Sequence, residues 1–139
     1  MWSTGWNLFG QLGDGSNNDR NSFTQVVSAD VQTVTSTYHH GMVLKRDGSV
    51  WATGRNYEGQ LGDGSVTVRK IFTEIFPGGV RVVATGYHHT MVLKQDGSLW
   101  ATGFNDYGQL GDGSNKDSRI FIQVMKGACE LSTIKFDVQ

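Results

Sequence analysis

Apolar residues in this chain fall in short runs bounded by turn residues, not at helical spacing. Met-Val-Leu-Lys at 42–45 and 91–94 is followed by Arg-Asp-Gly-Ser or Gln-Asp-Gly-Ser, and then by Val-Trp-Ala-Thr-Gly at 50–54 or Leu-Trp-Ala-Thr-Gly at 99–103. Asp-Gly between two apolar segments predicts an antiparallel hairpin. Ahead of each hairpin stands a β-rich stretch, VQTVTSTYHH at 31–40 or VRVVATGYHH at 80–89. After it, GQLGDGS leads to a shorter segment around Phe23, Phe72 or Phe121. Four short strands per unit is the resulting expectation. No window carries the caps and sustained 3.6-residue period that a helix requires.

The units repeat. WSTGWN at 2–7 returns as WATGRN at 51–56 and WATGFN at 100–105, and GQLGDGS recurs at 10, 59 and 108, always 49 residues on. Residues 2–50 and 51–99 share 26 identities in 49 positions, with no insertion between them. Three copies follow, at 2–50, 51–99 and 100–139, the third diverging after about residue 127. Tandem four-stranded units of this length with a Gly and Trp signature predict an all-β fold built of propeller blades. A single blade cannot bury both of its faces, whereas blades stacked around an axis cover one another.

Composition narrows the functions available. Apolar residues make up 37% of the 139-residue chain, enough for an ordered interior, and 19 glycines against one proline mark turns. Net charge is −1, with no stripe of Lys and Arg, so nucleic acid is not favoured as a direct partner. Cys129 is the only cysteine, which rules out a disulfide within the chain and fits a reducing compartment, favouring an intracellular setting, cytoplasmic or nuclear. No apolar run approaches the length of a spanning helix, and MWSTGWN does not read as a signal peptide.

Candidate chemistry is mostly absorbed by the repeat. His39, His40, His88 and His89 titrate near neutrality, but neighbours on a strand face opposite sides, so a metal site would need His39 to meet His88, or His40 to meet His89, across two blades. A structural role is the expectation. The DGSNND and DGSNKD segments lack the ligand spacing of a calcium loop and read as polar turns. Gly10, Gly13 and Gly15 lack the Gly-Lys-Ser/Thr of a phosphate loop. Trp51 and Trp100 read as blade core. No catalytic residue, cofactor or metal site is expected. The copies differ inside an otherwise fixed loop at Trp6, Leu8 and Phe9, at Arg55, Tyr57 and Glu58, and at Phe104, Asp106 and Tyr107. Rich in aromatics and Arg and sharing one rim, these residues are the candidate partner-binding surface, with Phe9 and Tyr107 equally suited to packing inward.

The set WATGxNxxGQLGDGS, followed by YHHTMVLKxDGS, resembles the repeat of the regulator of chromosome condensation (RCC1) family over residues 2 to about 127. The resemblance implies a seven-bladed propeller. It also implies a disc-shaped scaffold for protein partners, as in nucleotide exchange factors for small GTPases and in ubiquitin ligases of the HECT type. Under it, the leading function is a protein-interaction scaffold, with guanine nucleotide exchange on a small GTPase, or the propeller part of a ligase, as alternatives. Fewer than three repeats are too few for such a ring, which points to a fragment or remnant of a larger propeller. The WSTG strand lacks the hairpin partner that precedes Trp51 and Trp100, and the segment ending FDV corresponds to the strand before such a partner. Those unfilled edges suggest two chains joining ends in a homodimeric ring.

Overall fold

The computed structural model describes residues 1–127; Cys129, Asp137-Val138 and the end of the third repeat lie outside the described residues. Ten strands follow in order: β1 (Trp2–Gly5), β2 (Arg20–Gln25), β3 (Val31–Ser36), β4 (His40–Lys45), β5 (Val50–Gly54), β6 (Arg69–Phe76), β7 (Val80–Thr85), β8 (His89–Lys94), β9 (Leu99–Gly103) and β10 (Ser118–Met125). There is no helix among the described residues. All pairings are antiparallel, in two complete four-stranded sheets, β3-β4-β5-β6 and β7-β8-β9-β10, and one two-stranded sheet, β1-β2. Each complete sheet crosses a sequence-repeat boundary, at Trp51 or Trp100, and takes its first two strands from one copy and its last two from the next. Among the described residues the β1-β2 sheet is a last pair without its first pair.

Both Asp-Gly hairpins form where the sequence places them. Between β4 and β5 the Lys45 N–H bonds the Ser49 carbonyl at 2.9 Å, and Asp47 Oδ1 accepts from the Ser49 N–H and hydroxyl at 2.9 and 2.7 Å. Gly48, at φ 81°, supplies the left-handed residue this turn needs. A Cβ there would also lie 2.8 Å from the Gly79 nitrogen, so the turn is packed against the start of the next sheet.

The core lies between the two complete sheets. Met42, Leu44, Val50 and Ala52 of one meet Val80, Val83 and Val92 of the other, sealed by Leu61 from the loop after β5. These side chains are at most 6% exposed, and burying each of the Val, Leu and Met side chains contributes on the order of 1.5–3 kcal/mol before entropy is counted. Trp51 and Trp100 do not sit at the centre of this core. Val50 and Ala52 take the inward positions of β5, so strand alternation turns Trp51 to the opposite face, where it is half-buried beneath the Lys45 ammonium, 3.9 Å from its ring. Trp100 is likewise half-buried, at the margin of the core against Phe76. Each indole N–H is satisfied locally, by Ser49 or Ser98 at 3.0 and 2.9 Å.

Adjacent sheets are joined by a clasp built from GQLGDGS. In the first loop the Gly10 carbonyl accepts from Thr53 at 2.9 Å, the Gly15 N–H donates to the Lys70 carbonyl at 2.9 Å, and Asp14 bridges to Ile71. Gly13 lies so close to the Phe72 ring that a Cβ would sit 2.5 Å from it. The second loop repeats this on the next sheet: Gly59 accepts from Thr102, Gly64 donates to Arg119, Asp63 bridges to Ile120 and Gly62 faces the Phe121 ring. The repeated Gly, Thr and Phe positions are therefore parts of an inter-blade joint.

Candidate functional site

Each loop that follows a WATG-type strand is held by one buried asparagine. Asn56 Nδ2 donates to Asp63 Oδ1 and to the Ser65 and Thr67 carbonyls at 3.0, 3.1 and 3.2 Å, while its Oδ1 accepts from the Leu61 N–H at 3.0 Å. Asn7 and Asn105 do the same in their own loops, and all three are fully buried. The Asp-Gly-Ser turns are spent on this framework. Asp14 takes bonds from Asn7, the Ser16 N–H and hydroxyl, and Arg20 at 2.6 Å. Burial pushes its carboxyl upward, but the Ser16 backbone, Arg20, the Ser16 hydroxyl and Asn7 outweigh that and hold its pKa down at about 2.

The two histidines of each Tyr-His-His part at the start of a strand: His40 and His89 are the first residues of β4 and β8, whereas His39 and His88 lie in the bends just before them, not on the strand that the sequence pattern predicts. His40 is fully buried, its Nδ1 3.0 Å from the Thr37 hydroxyl and its Nε2 3.3 Å from the Thr90 hydroxyl of the next sheet. It is a structural tie, and burial, with neighbouring His88, His89, His39 and Arg55, lowers its pKa to about 3. His39 points the other way and meets His88 across the blades, the rings parallel to within 2° with centroids 5.8 Å apart. The convergence that the spacing left open thus occurs for His39 and His88, within a cluster of aromatic rings.

That cluster is continuous along one end of the sheets. Trp6 meets Phe9 and His39 edge-on; Phe9 meets His39 and Tyr57; Tyr87 packs on both His39 and His88; Phe104 bridges His88 and Tyr107. Arg55 lies in its midst, its guanidinium 5.0 Å from the Tyr57 ring and paired with Glu58 at 2.6 Å, and Glu58 reaches His88 at 3.7 Å. Desolvation lowers the pKa of both His39 and His88. Arg55 reinforces this, while Glu58 pulls both upward. His39 Nδ1 and Arg55 Nε are buried without a hydrogen-bond partner among the described residues.

Of the candidate surface residues, Trp6, Phe9, Arg55, Tyr57, Glu58, Phe104 and Tyr107 are thus brought together. Leu8 and Asp106 stand beside them as exposed residues whose carbonyls accept from Asn17 and Asn115. Phe9 is half-buried between its neighbours, whereas Tyr107 is 87% exposed and does not pack inward. Tyr38, His39, Tyr87 and His88 complete the row. Sequence variation alone passes over them, because they are identical in the two copies and lie in the turns before β4 and β8, away from the variable loops.

Comparison with known families matches the model of the regulator of chromosome condensation (RCC1) repeat at residues 31–60 and 80–109, and a second RCC1 repeat model at 47–93 and 96–125. The chain belongs to the RCC1 repeat family. Solved structures agree on the fold. Prp20p from Saccharomyces cerevisiae, described with its binding to Gsp1p and histones, superposes with a TM-score of 0.79 at 20% identity over 95% of this chain and 34% of its own. Yeast RCC1 (Prp20) bound to Kap60 gives the same TM-score, and human WBSCR16 gives 0.76 at 25% identity over 88% of this chain and 32% of its own. The chain thus spans about a third of the length of these propellers. Comparison with curated proteins returns no match.

Proposed function

We propose that this RCC1-repeat chain is a protein-interaction scaffold that offers the aromatic and imidazole row from Trp6 to Tyr107 to a protein partner. The observation behind this reading is the concentration on one end of the blades of exposed Trp6, Tyr38, Tyr57, Tyr87 and Tyr107 around Arg55, the residue types that dominate protein interfaces. The loops carrying Trp6, Arg55, Tyr57 and Tyr107 are braced by Asn7, Asn56 and Asn105, so this part of the surface is preorganised and ordering it costs little on binding. Prp20p, whose propeller shares this fold, is described by its binding to a Gsp1p partner and to histones, which makes a small GTPase or a histone the first partners to try.

The test is photo-crosslinking from position 57 or 107, with the hairpin-tip residue Arg46 at the far end of the sheet as comparison, against a purified small GTPase and core histones. Crosslinks confined to positions 57 and 107, and binding lost on Tyr57→Ala with Tyr107→Ala, support the reading. Equal crosslinking from position 46, or no effect of the tyrosine changes on binding, overturns it. Accelerated nucleotide release from the GTPase would identify exchange, whereas binding without acceleration identifies plain scaffolding.

A further inference from the structure

We propose that the chain joins head to tail with a second copy of itself, the third GQLGDGS loop of one copy (residues 108–114) seating on the β1-β2 sheet of the other. The clasp that would form is already built twice inside the chain, so its geometry is known. In both instances a Gly carbonyl of the loop takes a threonine hydroxyl, a following Gly N–H feeds the last strand of the neighbouring sheet, and a bare glycine lies close against a phenylalanine ring. One repeat further in each direction, both halves of the same clasp are present and unmated among the described residues.

On the loop side, Gly108, Gly111 and Gly113 keep the left-handed φ of their counterparts, at 76°, 74° and 82°, yet a Cβ on any of them would meet nothing within 4 Å. Asn105 holds this loop as Asn7 and Asn56 hold theirs, so it is preformed. On the sheet side, Phe23 stands at the repeat position of Phe72 and Phe121, but where those two are half-buried it is 70% exposed. Thr4 stands at the position of Thr53 and Thr102. All three reach the carbonyl of the last strand, at Arg20, Arg69 or Ser118, but only Thr53 and Thr102 also reach a loop carbonyl.

The occupant follows from this chemistry. A surface made of Thr4, the β2 backbone and the Phe23 ring fits a Gly-rich loop of the GQLGDGS type, and within this chain only the third such loop is undocked among the described residues. Because the two surfaces differ, the contact is heterologous, and each copy keeps one free half to extend or close the assembly. Pairing would also cover the β2 edge, with its exposed Phe23 and, across the sheet, Trp2 at 59%.

Blocking each half separately tests the idea on the full chain. Phe23→Lys charges the receiving ring; Gly111→Asn adds a side chain that tolerates left-handed backbone but fills the space a phenylalanine needs. By sedimentation velocity the wild type is expected to associate as its concentration rises, and each variant alone to stay monomeric. An equimolar mixture of the two, which retains one intact pair of surfaces, is expected to form a dimer and nothing larger. A wild type that stays monomeric, a single variant that associates like the wild type, or a mixture that stays monomeric overturns the proposal. Far-UV circular dichroism checks that each variant is folded, and Thr4→Arg on the same surface replaces Phe23→Lys if that chain is not.

Discussion

The imidazoles of His39 and His88, one repeat apart in sequence, lie parallel across the boundary between two sheets with their centroids 5.8 Å apart. Neither ring is placed there by its own bonds alone. His40, next in the chain and first in β4, is anchored inward between Thr37 and Thr90, and His39, in the bend before it, is enclosed by Phe9 and Tyr87. A fully buried structural histidine thus adjoins a half-buried one within the candidate interaction surface.

The first prediction follows from the electrostatics of that pair. Desolvation is the main cause of the lowered pKa of His88, and Arg55 and the facing His39 lower it further while Glu58 opposes them. His39→Asn removes one of the two groups whose positive charge opposes protonation of His88, so the His88 midpoint is expected to rise toward the ordinary value of 6.5. Imidazole chemical shifts followed against pH would show it; an unchanged or lower midpoint would refute the coupling.

A second concerns His40, whose pKa in the folded protein is about 3 against 6.5 when unperturbed. The unfolded chain takes up this proton first, so stability is fully present above pH 6.5. It falls as the pH drops below that value, and the loss continues until the pH nears 3. This one group accounts for at most about 1.4 kcal/mol per pH unit. Urea denaturation between pH 7 and pH 4.5 is expected to show a steep loss in the wild type and a shallower one in His40→Asn, from a lower starting stability. Equal slopes would mean that His40 does not carry the effect.

Much of this fold was legible because the local signals agree with one another: Asp47-Gly48 and Asp96-Gly97 mark hairpins, and the unbroken apolar run Met42-Val43-Leu44 marks a strand packed on both faces. What local pattern could not convey is which neighbour a residue meets. Trp51 has the size of a core residue but sits on the face opposite Val50 and Ala52, and its exposure depends on how much of the adjoining sheet is there to cover it. The variable loop positions lie at one end of the blades, Tyr38, His39, Tyr87 and His88 reach that end from a different turn, and only three-dimensional proximity joins the two sets.

A third prediction isolates the loop framework. Asn56→Ala leaves the Leu61 N–H without its acceptor and removes the amide donor to Asp63 Oδ1 and to the Ser65 and Thr67 carbonyls, all around a fully buried position. Leaving such groups unpaired is expected to cost about 3 kcal/mol. Asn56→Asp is not a rescue, because it sets a second carboxylate beside Asp63 Oδ1. Urea midpoints for both variants would check this, and a loss below about 1 kcal/mol for Asn56→Ala would show that water replaces the bonds at little cost.

The last prediction separates backbone strain from contact in the clasp. Gly62 and Gly111 occupy the same repeat position and the same backbone conformation, each at φ 74°, so replacing either by alanine imposes the same left-handed penalty of about 1–2 kcal/mol. Their surroundings differ: a Cβ on Gly62 would lie 2.4 Å from the Phe121 ring, while one on Gly111 meets nothing within 4 Å. Gly62→Ala must therefore also displace Phe121 from the margin of the core, an overpacking cost of about 1–3 kcal/mol beyond that of Gly111→Ala. Thermal or urea melts at concentrations where the chain is monomeric measure the difference directly. Equal losses for the two variants would mean that the loop and the Phe121 ring part readily, and that the clasp contributes little to holding one blade on the next.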